Sequence, residues 1–154
     1  MKYKIIPMER MHLEGIKAID DLCFETPWSL KSFETEFENP LAVYFVALDA
    51  QRVIGYCGYW WIFDEGQITN IAVHPDYRGK GIAQSLLETM IEKCARTDVS
   101  TLTLEVRESN RSARHIYEKY GFLQVGLRPK YYGNKEDAVL MTKQITQAEE
   151  GETV

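Results

Sequence analysis

The chain has 154 residues, 45% of them hydrophobic and 27% charged, a composition typical of a soluble globular protein with a single core. Three of the net −5 charges belong to Glu149, Glu150 and Glu152 near the C-terminus, so the remainder carries −2, which argues against a nucleic-acid-binding surface. The longest apolar run, residues 41–48, is well below the ~18 residues of a membrane span, and residues 1–10 lack a signal-peptide apolar core, so we expect a cytoplasmic protein without a membrane partner.

The first quarter of the chain predicts one strand followed by two helices. Tyr3–Ile6 is a short β-rich segment stopped by Pro7. Apolar residues then recur at helical spacing as far as Phe24 (Leu13, Ile16, Ile19, Leu22 and Cys23). Ser29 is a suitable N-cap for a second helix, which the Asn39-Pro40 pair ends.

Three β-rich segments follow, and the connections between them are short. They cover residues 43–48, 53–63 and 67–73, and are separated by the four residues 49–52 and the three residues 64–66. Connections of this length join neighbouring antiparallel strands. The middle of the chain therefore predicts an antiparallel meander.

A glycine-containing loop and a helix come directly after the third of these strands. The loop follows the turn at His74-Pro75-Asp76, and the helix is predicted to open within Arg78–Ala83. Its apolar residues form a wide stripe (Ile82, Ala83, Leu86, Leu87, Met90, Ile91 and Cys94). The free N–H groups and the positive dipole end of the helix suit a phosphate, and two glycines remove side chains that would keep it away.

Two common phosphate-binding loops do not match this segment. A Walker loop requires Ser or Thr after Gly-Lys, whereas Gly81 follows Lys80. A dinucleotide fingerprint requires a third glycine where the chain has Gln84. A glycine turn that only joins strand to helix is the alternative to a phosphate site.

The rest of the chain predicts a strand, a helix and a hairpin. Thr101–Arg107 alternates apolar and polar residues, as a half-buried strand does. Asn110 is a suitable N-cap for the helix that follows, and Gly121 is placed to end it. Residues 122–132 and 138–145 form the predicted hairpin, joined by the Gly133–Asp137 turn.

This order of elements predicts an α/β fold with a mixed, mostly antiparallel central sheet of about seven strands flanked by about four helices. Residues 1–145 are expected to form one domain, and residues 146–154 a disordered acidic tail. Cys23, Cys57 and Cys94 lie far apart within apolar patterns, which favours buried thiols over disulfides. His12, His74 and His115 make no spaced pair with a cysteine, so no metal is expected.

Several motifs resemble those of the GNAT N-acetyltransferases. The R-x-x-G-x-A pattern at Arg78–Ala83 is similar to their pyrophosphate-binding loop. Further segments resemble the RimI-type ribosomal-protein-alanine N-acetyltransferases: P-W-S at 27–29, L-E-V-R at 104–107, S-N-x-x-A at 109–113, I-Y-E-K-Y-G-F at 116–122, and K-Y-Y followed by E-D-A-V-L-M. The resemblance covers about residues 24–141.

The resemblance implies a role for each matching residue. Glu105 corresponds to the general base, acting directly or through water, and Tyr117 to the general acid that serves the departing CoA sulfur. Acetyl-CoA would be held by Ile71, Ala72, Val73, Arg78, Gly79, Lys80, Gly81, Ile82, Ala83, Asn110 and Tyr117. Trp28, Tyr131 and Tyr132 correspond to residues that line the peptide entrance.

The chemistry of these residues favours a main-chain amine as acceptor. An N-terminal amine has a pKa of ~7.7–8.0 against ~10.4 for lysine, so it is far more often neutral at pH 7, a difference of about 3.5 kcal/mol. A carboxylate such as Glu105, with an ordinary pKa of ~4.3, is a better match for the more weakly basic amine. For Tyr117, a strong hydrogen bond to the sulfur is an alternative to full proton transfer.

Each of these residues also has a purely structural interpretation. Glu105 would then be a solvated side chain of the strand's polar face, Tyr117 a core residue, Asn110 an N-cap, and Trp28 a seal between the first two helices. Tyr131 and Tyr132 alternate across a strand, so at most one is expected to touch a given ligand. His115 is an alternative base, but its helical position is expected to be exposed.

Together these features predict an enzyme that transfers acetyl from acetyl-CoA to a protein N-terminus, with a ribosomal protein beginning with alanine as the favoured acceptor. Arg78 and Ala83 stand where the family often has Gln and Gly, Glu25-Thr26 lengthen the approach to Pro27, and the turn bordering the peptide entrance is short. The alternatives are a lysine or small-molecule acceptor, or a CoA-binding module without catalysis.

Overall fold

The computed structural model of the protein describes residues 2–132 and 136–147, with side chains for all of these except residues 130–132. Its strands are β1 (Lys4–Pro7), β2 (Ala42–Asp49), β3 (Arg52–Ile62), β4 (Glu65–Val73), β5 (Thr101–Arg107), β6 (Leu123–Tyr132) and β7 (Glu136–Gln144). Its α-helices are α1 (Leu13–Cys23), α2 (Leu30–Phe37), α3 (Ile82–Ala95) and α4 (Arg111–Lys119). The strands follow the hydrogen-bonded order β1-β2-β3-β4-β5-β7-β6.

The predicted fold class is confirmed. The β2–β3, β5–β7 and β6–β7 pairs are antiparallel, whereas β4 and β5 are parallel. The described residues thus contain the predicted mixed, mostly antiparallel sheet of seven strands together with four α-helices. The acidic residues after position 147, and residues 133–135 of the predicted turn, lie outside the described part of the chain.

The chain divides into two compact units. The first comprises the described residues of Met1–Trp61 and Thr69–Met90, and the second those of Ile62–Ile68 and Ile91–Val154. In the first unit, helices α1 and α2 share a core cluster with β2, β3 and β4 (Leu13, Ile16, Ile19, Phe33, Tyr44, Val46, Leu48, Tyr56 and Ala72). Leu13, Ile16 and Ile19 of the repeat that predicted α1 are therefore buried, whereas Leu22 near its end is 57% exposed.

Helix α3 also packs onto the first unit, at a position where β3 has a glycine. A Cβ at Gly55 would lie 3.1 Å from the Ala72 carbonyl oxygen and 3.3 Å from a Leu86 methyl group. The missing side chain therefore lets the helix approach the strand closely. Ile82 and Leu86, two members of the predicted stripe, are 1% and 0% exposed, so the predicted orientation of the helix is confirmed.

In the second unit, β6 and β7 form the predicted antiparallel hairpin, and β5 pairs with β7 on its other side. Strand β5 pairs with β7 from Thr101–Gln144 to Arg107–Ala138. The alternating residues Leu102, Leu104 and Val106 are buried, as the period of two predicted. Helix α4 begins after Asn110, and Gly121, with φ +93°, follows its end in the left-handed conformation that favours glycine.

Candidate active site

Strand β4 leads into the predicted phosphate-binding loop within the first unit. A short 3-10 helix, Pro75–Tyr77, follows the strand, and α3 begins only at Ile82. The helix therefore begins within the predicted span Arg78–Ala83. Gly79 and Gly81 have φ of +77° and +80°, which a right-handed helix does not contain, so Arg78–Gly81 form a loop.

The surface above this loop is open. A Cβ built on Gly79 or Gly81 would meet no heavy atom of the described residues within 4 Å. The first N–H groups of α3 have no acceptor within the helix, and the residue before it is Gly81, which has no side chain to cap them. The loop therefore leaves room beside the start of α3, where helix-end N–H groups suit an anion.

Arg78 contributes to this loop in a way that the sequence did not predict. Its Nε donates to the Val73 carbonyl oxygen at 3.3 Å, and its Nη2 donates to the Cys23 thiol at 3.3 Å. The Cys23 thiol also lies 3.5 Å from the Val73 oxygen. Arg78 thus braces the loop against the end of β4 and uses two of its five N–H groups to do so.

The remaining predicted cofactor-binding residues lie on both sides of this loop. Ala72 and Val73 are buried at the end of β4, and Ile71 is half-buried. Lys80 is exposed, whereas Ile82 is buried in the core and offers only its backbone to a ligand. Cys57 and Cys94 are buried as predicted, but Cys23 is only half-buried because it faces the loop.

Glu105 lies on β5 in the second unit, opposite Leu140 of β7. Its Oε1 forms an ion pair with Nη2 of Arg128 on β6 at 2.9 Å. The Glu105 side chain is 26% exposed and that of Arg128 is 52% exposed. The carboxylate is thus neither freely solvated, as its alternative interpretation required, nor closed off from a substrate.

Tyr117 lies on helix α4 of the same unit, and Asn110 directly precedes that helix. The Tyr117 side chain is half-buried, and its ring centroid is 5.7 Å from that of Phe122. Asn110 is confirmed as the N-cap, because its Oδ1 accepts the Ala113 N–H at 3.2 Å. This bond leaves the amide N–H₂ group as the part suited to a cofactor contact. His115 is exposed, as predicted.

The predicted acceptor-binding residues are described unequally. Trp28 is half-buried in the first unit, and its ring centroid is 5.3 Å from that of Phe33 on α2. It also lines a cleft of about 290 Å³ with residues of α2 (Lys31, Ser32, Thr35 and Glu36). The backbones of Tyr131 and Tyr132 end β6, but their side chains lie outside the described residues.

Two buried carboxylates of the first unit were missed by the sequence analysis. Asp20 on α1 is 1% exposed and Glu36 on α2 is 5% exposed. Asp20 accepts hydrogen bonds from the Tyr56 hydroxyl and the Trp28 N–H, at 2.5 and 2.8 Å. A signal was available in the sequence, because Asp20 occupies an apolar position of the α1 repeat between Ile16 and Cys23.

Comparison with known proteins identifies the family to which this geometry belongs. The model of the acetyltransferase (GNAT) family matches residues 13–122, which include the loop, Glu105 and Tyr117. The chain belongs to the GNAT acetyltransferase family. The predictions of this family, of an acetyltransferase and of acetyl-CoA as cosubstrate are thereby confirmed.

Relatives of this GNAT protein include the predicted branch. A putative ribosomal protein bS18-alanine N-acetyltransferase of Bacillus subtilis is 40% identical over 139 residues, 87% of this chain and 92% of the relative. The crystal structure of the ribosomal-protein-S18-alanine N-acetyltransferase from Escherichia coli has a TM-score of 0.89 and 31% identity, covering 97% of this chain and 98% of its own. The RimI-type resemblance is therefore confirmed.

A more distant solved structure concerns the ligands of the family. The NatC complex bound to Gag peptide and CoA matches with a TM-score of 0.82 and 25% identity, covering 95% of this chain and 100% of the matched chain.

In this GNAT chain, no helix of the described residues is long and apolar enough to cross a membrane. The described side chains contain no group of three or more His, Cys, Asp or Glu placed to hold a metal ion.

Proposed function

We propose that this enzyme acetylates the N-terminal amine of a protein, specifically a ribosomal protein that begins with alanine. The observation that carries the proposal is the similarity, over 87% of the chain, to a relative named for that reaction. A ribosomal acceptor also implies that the enzyme works in the cytoplasm. The proposal assigns the catalytic domain to residues 1–145.

Acetyl-CoA supplies an acetyl group activated as a thioester. In the proposal, the backbone N–H groups of the Arg78–Ala83 loop and of the first turn of α3 bind its diphosphate. The left-handed glycines and the brace from Arg78 to Val73 keep these donors in place before the ligand arrives, which lowers the entropic cost of binding. The backbone of Ile71–Val73 and the amide of Asn110 bind the pantetheine arm.

Glu105 accepts the proton of the attacking amine, directly or through one water. Its partial exposure supports this role, because a base must reach the amine and later release the proton. Its ion pair with Arg128 holds the carboxylate in one orientation on β5. An exposed pair of this kind contributes only ~0–1 kcal/mol, so the carboxylate can exchange the guanidinium for an amine at little cost.

Tyr117 donates a hydrogen bond to the departing sulfur. A phenol with an ordinary pKa of ~10 keeps its proton at pH 7 and can act as a donor throughout the reaction. The packing of its ring against Phe122 limits the positions of the hydroxyl. Trp28, Tyr131 and Tyr132 bind the first residues of the acceptor, and the aromatic wall formed by Trp28 suits such a contact.

A peptide panel with acetyl-CoA tests the proposal. One peptide begins with alanine and follows the start of a ribosomal protein, the second is the same peptide with a blocked N-terminus and an internal lysine, and the third sample is a polyamine. Intact-mass measurement is expected to detect one added acetyl group on the first peptide alone. Transfer to the lysine or the polyamine, without transfer to the alanine N-terminus, would overturn the assignment of the acceptor.

A further inference from the structure

Asp20 is an ionisable residue at a position of the α1 repeat that is otherwise occupied by apolar, core-facing residues. Its burial, at 1% exposure, carries a large desolvation penalty unless its two oxygens are hydrogen-bonded. Both are. Oδ1 accepts from the Tyr56 hydroxyl at 2.5 Å, and Oδ2 accepts from the Trp28 backbone N–H at 2.8 Å.

The two donors differ in how firmly the fold already holds them. Tyr56 lies on β3, is 0% exposed and packs edge-on against Phe33 with ring centroids 6.1 Å apart. Burial, followed by the hydrogen bond to Asp20, raises the pKa of Tyr56 far above its ordinary value, so the phenol remains a donor. Asp20 is therefore anchored to a rigid strand through one oxygen, while the other holds a loop.

The loop that Asp20 holds is the segment between α1 and α2. Residues 24–27 are exposed, and the segment returns to the core at Trp28. Beyond the N–H that Asp20 accepts, the Trp28 ring lies against Phe33 and forms one wall of the cleft of about 290 Å³ beside α2. The place of this wall thus depends on where the backbone of Trp28 is fixed.

We propose that Asp20 is a positioning residue for acceptor recognition, which fixes the Trp28 backbone so that the indole ring forms a preorganised wall of the acceptor site. This inference rests on the proposed role of Trp28 at the peptide entrance. It extends that role by naming the buried group that sets its geometry. A side chain held in advance loses less conformational freedom when the peptide binds.

The test separates acceptor binding from cofactor binding and from chemistry. Asp20→Leu fills the volume but accepts no hydrogen bond, and it is expected to raise the KM for the alanine peptide about tenfold, the effect of losing one hydrogen bond to a charged group. The KM for acetyl-CoA and kcat are expected to remain within about twofold of the parent. Asp20→Asn is expected to restore most of the acceptor affinity, because its oxygen can accept from Trp28 while its amide donates to the Tyr56 oxygen.

Two further variants distinguish positioning from general stability. Tyr3→Phe removes another phenol hydroxyl of the first unit, one that is 2.7 Å from the Ser85 hydroxyl, and is expected to lower the melting temperature without the selective rise in acceptor KM. In a double-mutant cycle, Asp20→Leu and Trp28→Ala are expected to be non-additive in acceptor KM, since both act through one ring. Asp20→Ala replaces Asp20→Leu in the cycle if the leucine variant does not fold.

The outcomes keep this inference separate from the proposed function. Suppose first that the parent acetylates the alanine peptide. The proposed role of Asp20 is then overturned, and the proposed function is not, by any of three results for Asp20→Leu: an unchanged acceptor KM, an equal rise in the KM values for acceptor and acetyl-CoA, or strict additivity with Trp28→Ala. If the parent prefers another amine in the panel, the proposed acceptor is wrong and the same KM comparison is made with that amine. A parent that acetylates none of them overturns both.

Discussion

Glu36 and Glu105 are the same residue type in opposite circumstances. Glu36, in the first unit, is 5% exposed and accepts hydrogen bonds from Tyr44 and Trp60, each at 2.7 Å, and from Asn39 at 3.1 Å. Glu105, in the second unit, has a side chain that is 26% exposed and pairs with an arginine that is 52% exposed. One carboxylate is surrounded by buried or partly buried donors, and the other meets a donor that is half exposed to solvent.

The difference indicates which carboxylate is available for proton transfer. Exchanging the donors of Glu36 would leave buried polar groups unsatisfied, at about 1–3 kcal/mol each, so this residue maintains the fold. Replacing the partner of Glu105 at a partly exposed position costs roughly 1 kcal/mol or less. A general base must accept and release a proton in every cycle, and only Glu105 of these two can do so without disturbing the core.

The largest predicted effect is the loss of rate in Glu105→Gln. The amide keeps the size of the side chain but cannot take a proton, so we expect CoA release with saturating alanine peptide to slow by about 10²- to 10⁴-fold. A thiol reagent measures the release. The matched control is Glu118→Gln, the same chemical change at an exposed position of α4, which is expected to retain the parental rate.

An unchanged rate in Glu105→Gln would remove the distinction between the two glutamates. The proton would then be accepted elsewhere, or the chain would bind CoA without catalysing transfer. A slow rate together with a lowered melting temperature would instead assign Glu105 a structural role. The prediction therefore requires that Glu105→Gln lowers the rate of CoA release while leaving the melting temperature close to that of the parent.

The second prediction concerns stability. Glu36→Ala leaves the donors of Tyr44, Trp60 and Asn39 without their acceptor, and we expect the free energy of unfolding to fall by about 3 kcal/mol or more. Glu105→Ala is expected to lower it by less than about 1 kcal/mol. Urea denaturation followed by fluorescence compares the two. Equal losses in both variants would contradict the contrast.

A smaller effect is expected when the hydroxyl of Tyr117 is removed. Tyr117→Phe keeps the ring that packs against Phe122, so the melting temperature is expected to stay close to that of the parent. The loss of one hydrogen bond to a developing thiolate predicts a kcat about tenfold lower. Tyr120→Phe, a half-buried tyrosine on the same helix, serves as the control and should retain the parental kcat. If both variants have the parental kcat, Tyr117 is not the group that serves the sulfur.

The parts of the fold that the sequence predicted well depend on local chemistry. Ser29 caps α2 by accepting the Ser32 N–H at 3.1 Å, and Asn110 caps α4, as their positions before apolar repeats predicted. The stripe of α3 is buried for the same reason, because a period of 3.6 residues defines one face. The start of α3 was predicted only to within Arg78–Ala83, because residue type alone did not indicate that Gly79 and Gly81 are left-handed.

Features of the candidate site that depend on distant residues were not predictable in this way. The Glu105–Arg128 pair joins strands whose register is set by β7 lying between them. The contact of Arg78 with Cys23 likewise joins residues far apart in the chain. Asp20 was missed, although its place in the apolar repeat of α1 indicated burial. Site residues were thus proposed from motifs, whereas their partners required the fold.

The smallest predicted effect concerns Glu136, a third carboxylate, whose side chain is 26% exposed like that of Glu105. Hydrogen bonds from the side chain and the backbone N–H of Ser109, and then the Arg107 guanidinium, lower its pKa below the ordinary value. A carboxylate with a lowered pKa stabilises the folded state above its unfolded pKa of ~4.3, and this contribution disappears as the pH falls through the folded value. The stability difference between the parent and Glu136→Gln is therefore expected to be constant from neutral pH to about pH 5 and to shrink below about pH 4. Urea midpoints of the parent and Glu136→Gln, measured across this pH range, test whether the stability difference shrinks in acid. Glu118→Gln is the control. A stability difference between parent and Glu136→Gln that does not change in acid would contradict a lowered pKa for Glu136.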